Sequence, residues 1–323
     1  MKMNLTKIMM ILTMIISTIS AIASTNMLMM WIMMEINFMT FMPILTKNKI
    51  MKDQPMKYFI IQSTASSIML MAMLLNLIFE YPLSMSILFL GSMLMKMGLL
   101  PFHMWVPMIM KLMKWEACLI LTTWQKIIPT IVMAQMIKIN LMLPPMCLTM
   151  MVSPMLALNQ SSLKKIMAYS SISNSPWMIT SLTNSKSQFT TFFIVYTMIN
   201  YMVMSNFKKM NLNFINQMNL ETLKSKLNLI INMLSLSSMP PMIGFFPKWM
   251  ILQSTMSFSI FLTVSMILSS IMSTFIYIKM ISPILLMMNM NKKKKIKKMK
   301  YIKNNEIIIN ILGTLILMNF KSS

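Results

Sequence analysis

Apolar runs long enough to cross a membrane constrain the fold of this chain more than any other feature. A transmembrane helix needs about 20 mainly apolar residues, and by that measure the sequence contains roughly eleven such runs. Their centres fall near Ile15, Met34, Met69, Met93, Lys126, Met150, Ile179, Tyr196, Ser238, Leu268 and Ile311. Of the 323 residues, 57% are hydrophobic and only 11% are charged, whereas soluble domains carry about 25% charged residues. We therefore predict an all-α, polytopic membrane protein of about 11 transmembrane helices.

The positions of the lysines predict how the chain is threaded through the membrane. All 29 basic residues are lysines, and most lie in alternate gaps between the apolar runs, from Lys2 and Lys7 to the run between Lys292 and Lys300. A lysine excess on one face is the positive-inside pattern. It predicts an N-terminus on the negative, cytoplasm-like or matrix side and, because the number of spans is odd, a C-terminus on the opposite side.

The net charge of +23 would suggest a nucleic-acid partner in a soluble protein. Here the lysines are not interleaved with aromatic residues, so we interpret the charge as topogenic and predict no nucleic-acid partner. The run from Lys292 to Lys300 has two interpretations: a solvated loop that fixes orientation, or a site for anionic lipid head groups.

The start of the chain also has two interpretations. Lys2, the apolar run after it and the triplet Ala21-Ile22-Ala23 imitate a cleavable signal peptide. A retained first helix is the simpler interpretation, since it preserves the odd number of spans.

Four ionisable residues lie inside the apolar runs: Glu35, Lys96, Lys126 and Lys248. A charged side chain at the centre of a membrane helix costs roughly 2.5–3.5 kcal/mol on an insertion scale, so such residues usually mark an ion or proton path. The competing interpretation for the lysines is that their long side chains reach the interface from near a helix end. That interpretation is weakest for Lys126, near the middle of its run, and the side chain of Glu35 is too short for it. We therefore predict proton transport through these four residues.

His103 is the only histidine, and it lies beside Pro101. A lone histidine often makes a structural hydrogen bond, and this position also suits a proton relay. Both alternatives stay open.

The inventory of ligating residues excludes several classes of membrane enzyme. One histidine and two separated cysteines, Cys118 and Cys147, cannot supply the ligands of a haem, an iron–sulfur cluster or a zinc site. The sequence also lacks a Gly-x-Gly-x-x-Gly motif and a phosphate loop. We predict no cofactor in this chain.

Two of the four glycines begin a similar local pattern. Gly98 and Pro101 end the fourth apolar run, and Gly244 and Pro247 lie near the end of the ninth. An odd offset of five runs reverses orientation in the membrane, so we predict inverted five-helix repeats, each with a discontinuous helix. The predicted divisions are residues 1–138 and 139–283 for the repeats and 284–323 for a lysine-rich loop and a C-terminal helix. The alternative is that so short a pattern recurs by chance.

Six strings, in chain order, resemble one known family. They are WIMMEIN (31–37), KYFIIQ (57–62), KMGLLPFHMWVP (96–107), TWQKIIP (123–129), LNQSSLKKIMAYSS (158–171) and PPMIGFFPKW (240–249). Together they closely resemble the chain 2 family of mitochondrial NADH–ubiquinone oxidoreductase, respiratory complex I, in its shortened animal form. The 52 methionines and the use of lysine in place of arginine resemble the bias of AT-rich arthropod mitochondrial genomes.

The resemblance implies an antiporter-like membrane-arm subunit in the inner mitochondrial membrane, with its N-terminus in the matrix and its C-terminus in the intermembrane space. The implied partners are the other membrane-arm subunits and inner-membrane lipids. By the family pattern, Glu35 and Lys96 form a glutamate–lysine pair, Lys126 is the central lysine and Lys248 is the lysine of the second broken helix.

Three positions depart from the family pattern. Asn174 and Pro176 occur where relatives often carry His and Gly, which puts a histidine relay on that helix in doubt. Met108 occurs where an acidic residue is common.

The function that we predict is proton translocation coupled to electron transfer from NADH to ubiquinone, with the redox chemistry in partner subunits. One alternative is a free-standing monovalent cation/proton antiporter. Na⁺ sites favour carboxylates and carbonyls, and a single mid-membrane glutamate supplies few such ligands. A second alternative is a non-pumping structural subunit of the membrane arm.

Overall fold

In a computed structural model of the chain, residues 5–46, 53–78, 82–137, 139–218 and 223–290 are described, together with Asn310 and Gly313. Within these ranges every regular element is a helix, which confirms the predicted all-α class. A single β-bridge joins the loops at Ser162 and Phe214. The run from Lys292 to Lys300 and the predicted span centred on Ile311 lie outside the described residues.

Thirteen α-helices lie within the described ranges. In chain order they are α1 (Leu5–Ala23), α2 (Met27–Thr46), α3 (Asp53–Ile78), α4 (Pro82–Met97), α5 (Trp105–Leu112), α6 (Trp115–Thr122), α7 (Ile127–Met136), α8 (Ile139–Leu158), α9 (Leu163–Asn184), α10 (Lys186–Lys209), α11 (Leu223–Ser237), α12 (Phe245–Thr255) and α13 (Ile260–Met290). A 3₁₀ turn, Trp124–Lys126, separates α6 from α7.

Six stretches of the described chain are long and apolar enough to cross a membrane. They are Leu5–Ala23, Met27–Leu45, Asp53–Asn76, Trp115–Met136, Ile139–Leu158 and Ile260–Leu286. The predicted spans centred on Met93, Ile179, Tyr196 and Ser238 contain shorter or more polar helices, and the count of eleven stays a prediction. Helices α9 and α10 are long enough, but both contain many hydroxyl and amide side chains.

The most buried helix is α9, and its position explains how a polar helix is accommodated. It packs against α5, α6, α7, α8, α10, α12 and α13, and every residue from Ser171 to Ser181 is buried. Because its neighbours cover it, its polar side chains contact protein rather than lipid. The helix therefore lacks the apolar face that marks a helix at the surface of a bundle.

Lysines from distant segments meet at one end of the bundle, here called the lysine-rich end. Glu116 of α6 accepts hydrogen bonds from Lys7 of α1, at 2.8 Å, and from Lys208 of α10. The ammonium of Lys164 lies 5.6 Å from the centre of the Trp115 ring. These contacts hold α1, α6, α9 and α10 together at that end.

Two hydrophobic cores lie one above the other along the helix axes. The core at the lysine-rich end includes Phe41, Met110, Leu163 and Phe207, and the opposite core includes Met30, Met93, Met178 and Met266. Several helices pass from one core into the other. Between the two cores, the charged residues predicted from the sequence interrupt the apolar packing.

Candidate functional site

The predicted glutamate–lysine pair forms across two helices. The Nζ atom of Lys96, in the last turn of α4, donates to Oε1 of Glu35 on α2 at 3.4 Å. The side chain of Lys96 is 5% exposed and that of Glu35 is 21% exposed. The partly exposed carboxylate compensates the buried ammonium, which would be costly to bury alone.

The break after α4 fixes the position of Lys96. Gly98 adopts φ +68°, a left-handed conformation that ends a helix. The indole N–H of Trp105, at the start of α5, donates to the carbonyl of Met95 at 3.1 Å. The amide of Gln62 lies 3.4 Å from the carbonyl of Lys96 itself. The carbonyl of Met95 also accepts from the backbone N–H of Gly98 at 3.3 Å, so these contacts tie the end of α4 to α3 and α5.

A small cavity of about 30 Å³ separates Lys96 from Lys126. Its polar lining comes from Asn37, Gln62 and Gln125, and Gln125 donates to the side-chain oxygen of Asn37 at 3.1 Å. A cavity with polar walls needs only about 10–15 Å³ to hold a water molecule. Water in this cavity would join the two lysines.

Lys126 lies in the 3₁₀ turn between α6 and α7 and is 4% exposed. Its Nζ atom donates to the carbonyl of Ser171 at 2.5 Å and to the hydroxyl of Ser175 at 2.7 Å, both on α9. Dipoles rather than a carboxylate therefore surround this ammonium. Neither serine was predicted from the sequence, although the polar stretch Ser170–Ser175 inside an apolar run was a signal that could have found them.

Lys248, in the first half of α12, has a different partner. Its Nζ atom lies 5.4 Å from the centre of the Trp177 ring on α9, a distance typical of a cation–π contact. A second cavity, of about 20 Å³, adjoins Lys248 and is lined by Asn174, Tyr196, Ser235 and Ser238 among others. Within the described ranges no carboxylate pairs with Lys248.

One segment of α9 connects the two lysines. Ser171 and Ser175 bind Lys126, whereas Asn174 and Trp177 lie beside Lys248. The departure from the family pattern at Asn174 thus places an amide in the cavity of Lys248. Glu35 and Lys96 form an ion pair, Lys96 and Lys126 line one cavity, and α9 contacts both Lys126 and Lys248; these four residues are here called the row.

His103 does not join this row. It lies in the loop between α4 and α5, where its Nδ1 atom is 3.3 Å from the carbonyl oxygen of Pro101. Neither cavity beside the lysines is lined by it. This contact suits a structural role, and the relay role stays a prediction.

The described residues also bear on metal binding. No group of three or more His, Cys, Asp or Glu side chains in that part of the chain could hold a metal ion. Cys118 and Cys147 are both buried and free.

The sequence from residue 24 to residue 276 matches the family described as NADH:quinone oxidoreductase/Mrp antiporter, transmembrane. The chain belongs to this family. All four residues of the row, and the helices that position them, lie within the matched range. The row is therefore part of the region that this protein shares with the NADH:quinone oxidoreductase/Mrp antiporter family.

Two individual proteins are similar to this chain in sequence. NADH-ubiquinone oxidoreductase chain 2 of Locusta migratoria is 38% identical over 66% of this chain and 65% of its own length. The protein of the same name from Anopheles gambiae is 33% identical over 64% of this chain and 63% of its own length. The chain thus spans a little under two thirds of the length of these relatives.

Chains of other membrane complexes share the fold. A chain of respiratory complex I from Thermus thermophilus superimposes with a TM-score of 0.77, covering 96% of this chain and 76% of that one at 16% identity. A chain of the Mrp complex from Dietzia sp. superimposes with a TM-score of 0.70, covering 84% of this chain and 59% of that one at 12% identity. At such identities the likeness concerns the fold alone.

Proposed function

We propose that this chain is a membrane-arm subunit of mitochondrial NADH:ubiquinone oxidoreductase and contributes to proton translocation across the inner membrane. The names of its relatives support the assignment to that enzyme. Its partners would be the other membrane-arm subunits and inner-membrane lipids. The electrons would pass through partner subunits, and this chain would hold no cofactor of its own.

The observation that carries the proposal is the row from Glu35 to Lys248 between the two hydrophobic cores. The row contains one acid–base pair and two further lysines. Its three lysines are buried and Glu35 is partly exposed; Lys96 and Lys126 line one polar cavity, and α9 contacts both Lys126 and Lys248. Buried ionisable residues in a membrane protein usually mark a proton or ion path. Lysine can take up and release a proton, whereas a fixed arginine cannot.

The row can transmit a change from one half to the other by electrostatics. Two unit charges about 4 Å apart attract by about 4 kcal/mol at an effective dielectric constant of 20. Movement of Glu35 away from Lys96 would remove most of that attraction and release the proton of Lys96 toward the cavity. A proton that arrives in the cavity would repel the positive charge on Lys126. This repulsion would favour transfer of the Lys126 proton along α9 toward Lys248.

The finer architecture is part of the same proposal. It comprises eleven spans and inverted repeats over residues 1–138 and 139–283. Residues 284–323 would form a lysine-rich loop and a C-terminal helix, and the N-terminus would lie in the matrix. The paired breaks after Met97 and after Ser237 support the repeats. The meeting of Lys7 and Lys208 at one end of the bundle supports their assignment to one face.

A free-standing cation/proton antiporter is the second candidate, because the family includes Mrp antiporters and a chain of an Mrp complex shares the fold. Separation of gently solubilised native membranes on a native gel, with staining for NADH oxidation, distinguishes the two. We expect mass spectrometry to find this chain in the large NADH-oxidising band. Its presence only in a small inactive band would favour the antiporter.

Proton transport itself is tested by Lys126→Met in the assembled enzyme, reconstituted into liposomes. We expect fewer protons transported per NADH oxidised, because the central lysine of the row is lost. Lys111→Met is the matched control, since Lys111 is exposed at the lysine-rich end. An unchanged ratio in a fully assembled Lys126→Met enzyme would instead favour the structural subunit.

A further inference from the structure

Two residues beyond both predicted repeats pack into the bundle. Asn310 and Gly313 follow residue 283, where the second predicted repeat ends, and both have a helical backbone. Residues three apart lie on the same face of a helix. Asn310 is fully buried and Gly313 is partly buried. The face that carries them is therefore turned toward other helices.

This face contacts both sides of the second break, residues 238–244, which separates α11 from α12. On the α11 side, Asn310 donates to the side-chain oxygen of Asn232 at 2.9 Å, and Asn232 is 1% exposed. On the α12 side, a Cβ atom on Gly313 would lie 2.3 Å from the Cδ1 atom of Ile243. One short helical face therefore bridges the break.

The α12 side of the break determines where Lys248 lies. Gly244 follows Ile243, and a Cβ atom on Gly244 would be 2.1 Å from the carbonyl oxygen of Ser235. Lys248 lies one helical turn after Gly244, and Ser235, Gly244 and Lys248 line one cavity. Displacement of Ile243 would therefore shift the start of α12 and, with it, Lys248.

The distances leave little room for such a shift. The Nζ atom of Lys248 lies 5.4 Å from the centre of the Trp177 ring, and cation–π attraction is significant within about 6 Å. Nonbonded carbon atoms normally lie about 3.5–4.0 Å apart, so a side chain on Gly313 would have to displace Ile243 by about 1 Å. A displacement of that size, transmitted to α12 away from Trp177, would exceed the remaining margin.

The first break is held from within its own predicted repeat. The carbonyls of Met95 and Lys96 accept from Trp105 and Gln62, and all four residues lie within residues 1–138. At the second break, contacts come from a segment outside both predicted repeats. The two breaks are therefore supported by different parts of the chain.

We propose that Asn310 and Gly313 are positioning residues that hold the second break in the geometry that places Lys248 in its cavity. The segment that carries them acts as a splint, with a hydrogen bond to Asn232 on one side and close packing against Ile243 on the other. The proposal rests on the proposed function, which makes Lys248 part of a proton path.

The test uses the assembled enzyme in liposomes, with protons transported per NADH as the readout and Lys248→Met as the reference. We expect Gly313→Val to lower this ratio toward that of Lys248→Met, because a branched side chain does not fit against Ile243. Ile243→Ala should also lower the ratio, since it removes the packing. The double variant Gly313→Val/Ile243→Ala should transport better than either single variant, because the valine fills the space that the smaller side chain leaves.

Gly91→Val is the matched control. A Cβ atom on Gly91 of α4 would meet nothing within 4 Å, so the same substitution is made in a helix without crowding, and the ratio should be unchanged. The hydrogen bond is tested separately. Asn310→Leu removes the donor to Asn232 and should lower the ratio, whereas Asn310→Ser keeps a donor and should retain more of it.

A normal ratio in assembled Gly313→Val, with a loss in Lys248→Met, would overturn the splint and leave the proposed function standing. A loss that Ile243→Ala does not relieve, or an equal loss in Gly91→Val, would overturn it as well, because the effect would then be general damage to the fold. So would a loss in Gly313→Val/Lys248→Met that is larger than the loss in Lys248→Met.

Two further results complete the test. If Lys248→Met transports normally, the proposed role of Lys248 fails and the splint fails with it. If Gly313→Val does not assemble, Gly313→Ala and Ile243→Val take the place of the two substitutions with the same readout. A loss that the double variant relieves supports the splint, and equal transport in the single and double variants overturns it.

Discussion

Lys96 and Lys248 both lie near a Gly-x-x-Pro break, yet the two halves of the molecule stabilise them differently. Lys96 is paired with the carboxylate of Glu35 at 3.4 Å. Lys248 faces the ring of Trp177 at 5.4 Å and lacks a carboxylate partner within the described ranges. A carboxylate attracts the ammonium as a full charge and is itself ionisable, whereas an aromatic ring offers a weaker and fixed attraction.

The glycines at the two breaks, Gly98 and Gly244, are also required for different reasons. Gly98 adopts φ +68°, a conformation that other residues rarely adopt. Gly244 has an ordinary φ of −70°, but the carbonyl of Ser235 occupies the place that a Cβ atom would take. Similar sequence patterns therefore serve two physical needs: a turn of the backbone in the first half and close approach of two segments in the second. In the first half both partners of the pair, Glu35 and Lys96, can change protonation. In the second half only Lys248 can, because its partner is the ring of Trp177.

The largest effect is expected from Glu35→Gln. Removing one partner of a buried ion pair typically costs about 3–5 kcal/mol, because it leaves an uncompensated charge. We expect a value near the lower limit, since the side chain of Glu35 is 21% exposed. The measurement is thermal inactivation of the detergent-solubilised enzyme, with loss of this chain from the complex as the readout.

Lys248→Met is the counterpart in the second half. It leaves no carboxylate without a partner, and methionine fills a similar volume, so thermal stability should stay the same or rise. The double variant Glu35→Gln/Lys96→Met should recover much of the stability lost in Glu35→Gln. Equal destabilisation by Glu35→Gln and Lys248→Met would show that the two sites are not different in kind.

The next effect concerns Gly98→Ala and Gly244→Ala. We expect each to destabilise the fold by about 1–3 kcal/mol, the usual range for overpacking. In Gly98→Ala the new Cβ atom would lie 2.3 Å from a methyl group of Val106, so adding Val106→Ala should restore the part due to crowding. No side-chain change can relieve Gly244→Ala, since its obstacle is backbone. If Val106→Ala fully restored the stability of Gly98→Ala, then crowding, and not the positive φ, would be the reason for glycine at this position.

A smaller effect is expected from Trp177→Phe. Phenylalanine keeps an aromatic face but attracts a cation less strongly, and cation–π contacts contribute about 0.5–2 kcal/mol. The coupling to Lys248 is obtained from a double-mutant cycle with Lys248→Met, using the same thermal assay. Additive effects would mean that Trp177 acts only through packing, and the second site would then lack even this attraction.

The smallest effect is expected from Glu116→Gln, which removes the ion pair with Lys7 in the same half and the ion pair with Lys208 in the other half, at the lysine-rich end. Exposed ion pairs contribute about 0.2–1 kcal/mol and weaken with salt, and the side chain of Lys208 is 47% exposed. Thermal stability should fall slightly at low salt and hardly at all at high salt. A large loss that persists at high salt would indicate that Glu116 positions α1 and α10 through packing.

The sequence predicted the candidate residues because membrane insertion makes isolated charges conspicuous. Glu35, Lys96, Lys126 and Lys248 stood out from apolar runs, and the structure places all four in one row. The sequence did not predict Ser171, Ser175 or Trp177, which lie on α9 and contact lysines on other helices. Serine and tryptophan are common in membrane helices for other reasons, so neither marks a site until packing fixes its neighbour.

The sequence alone determined the helical class, because a backbone in lipid must satisfy its hydrogen bonds internally and a helix does so with its own atoms. It also determined where charge enters the apolar runs and where glycine and proline interrupt them. The tertiary structure decided which groups surround each charge: a carboxylate for Lys96, serine dipoles for Lys126 and an aromatic ring for Lys248. These partners lie 45 to 71 residues away along the chain, and the rotation and depth of α9 among its neighbours depend on packing across the whole bundle.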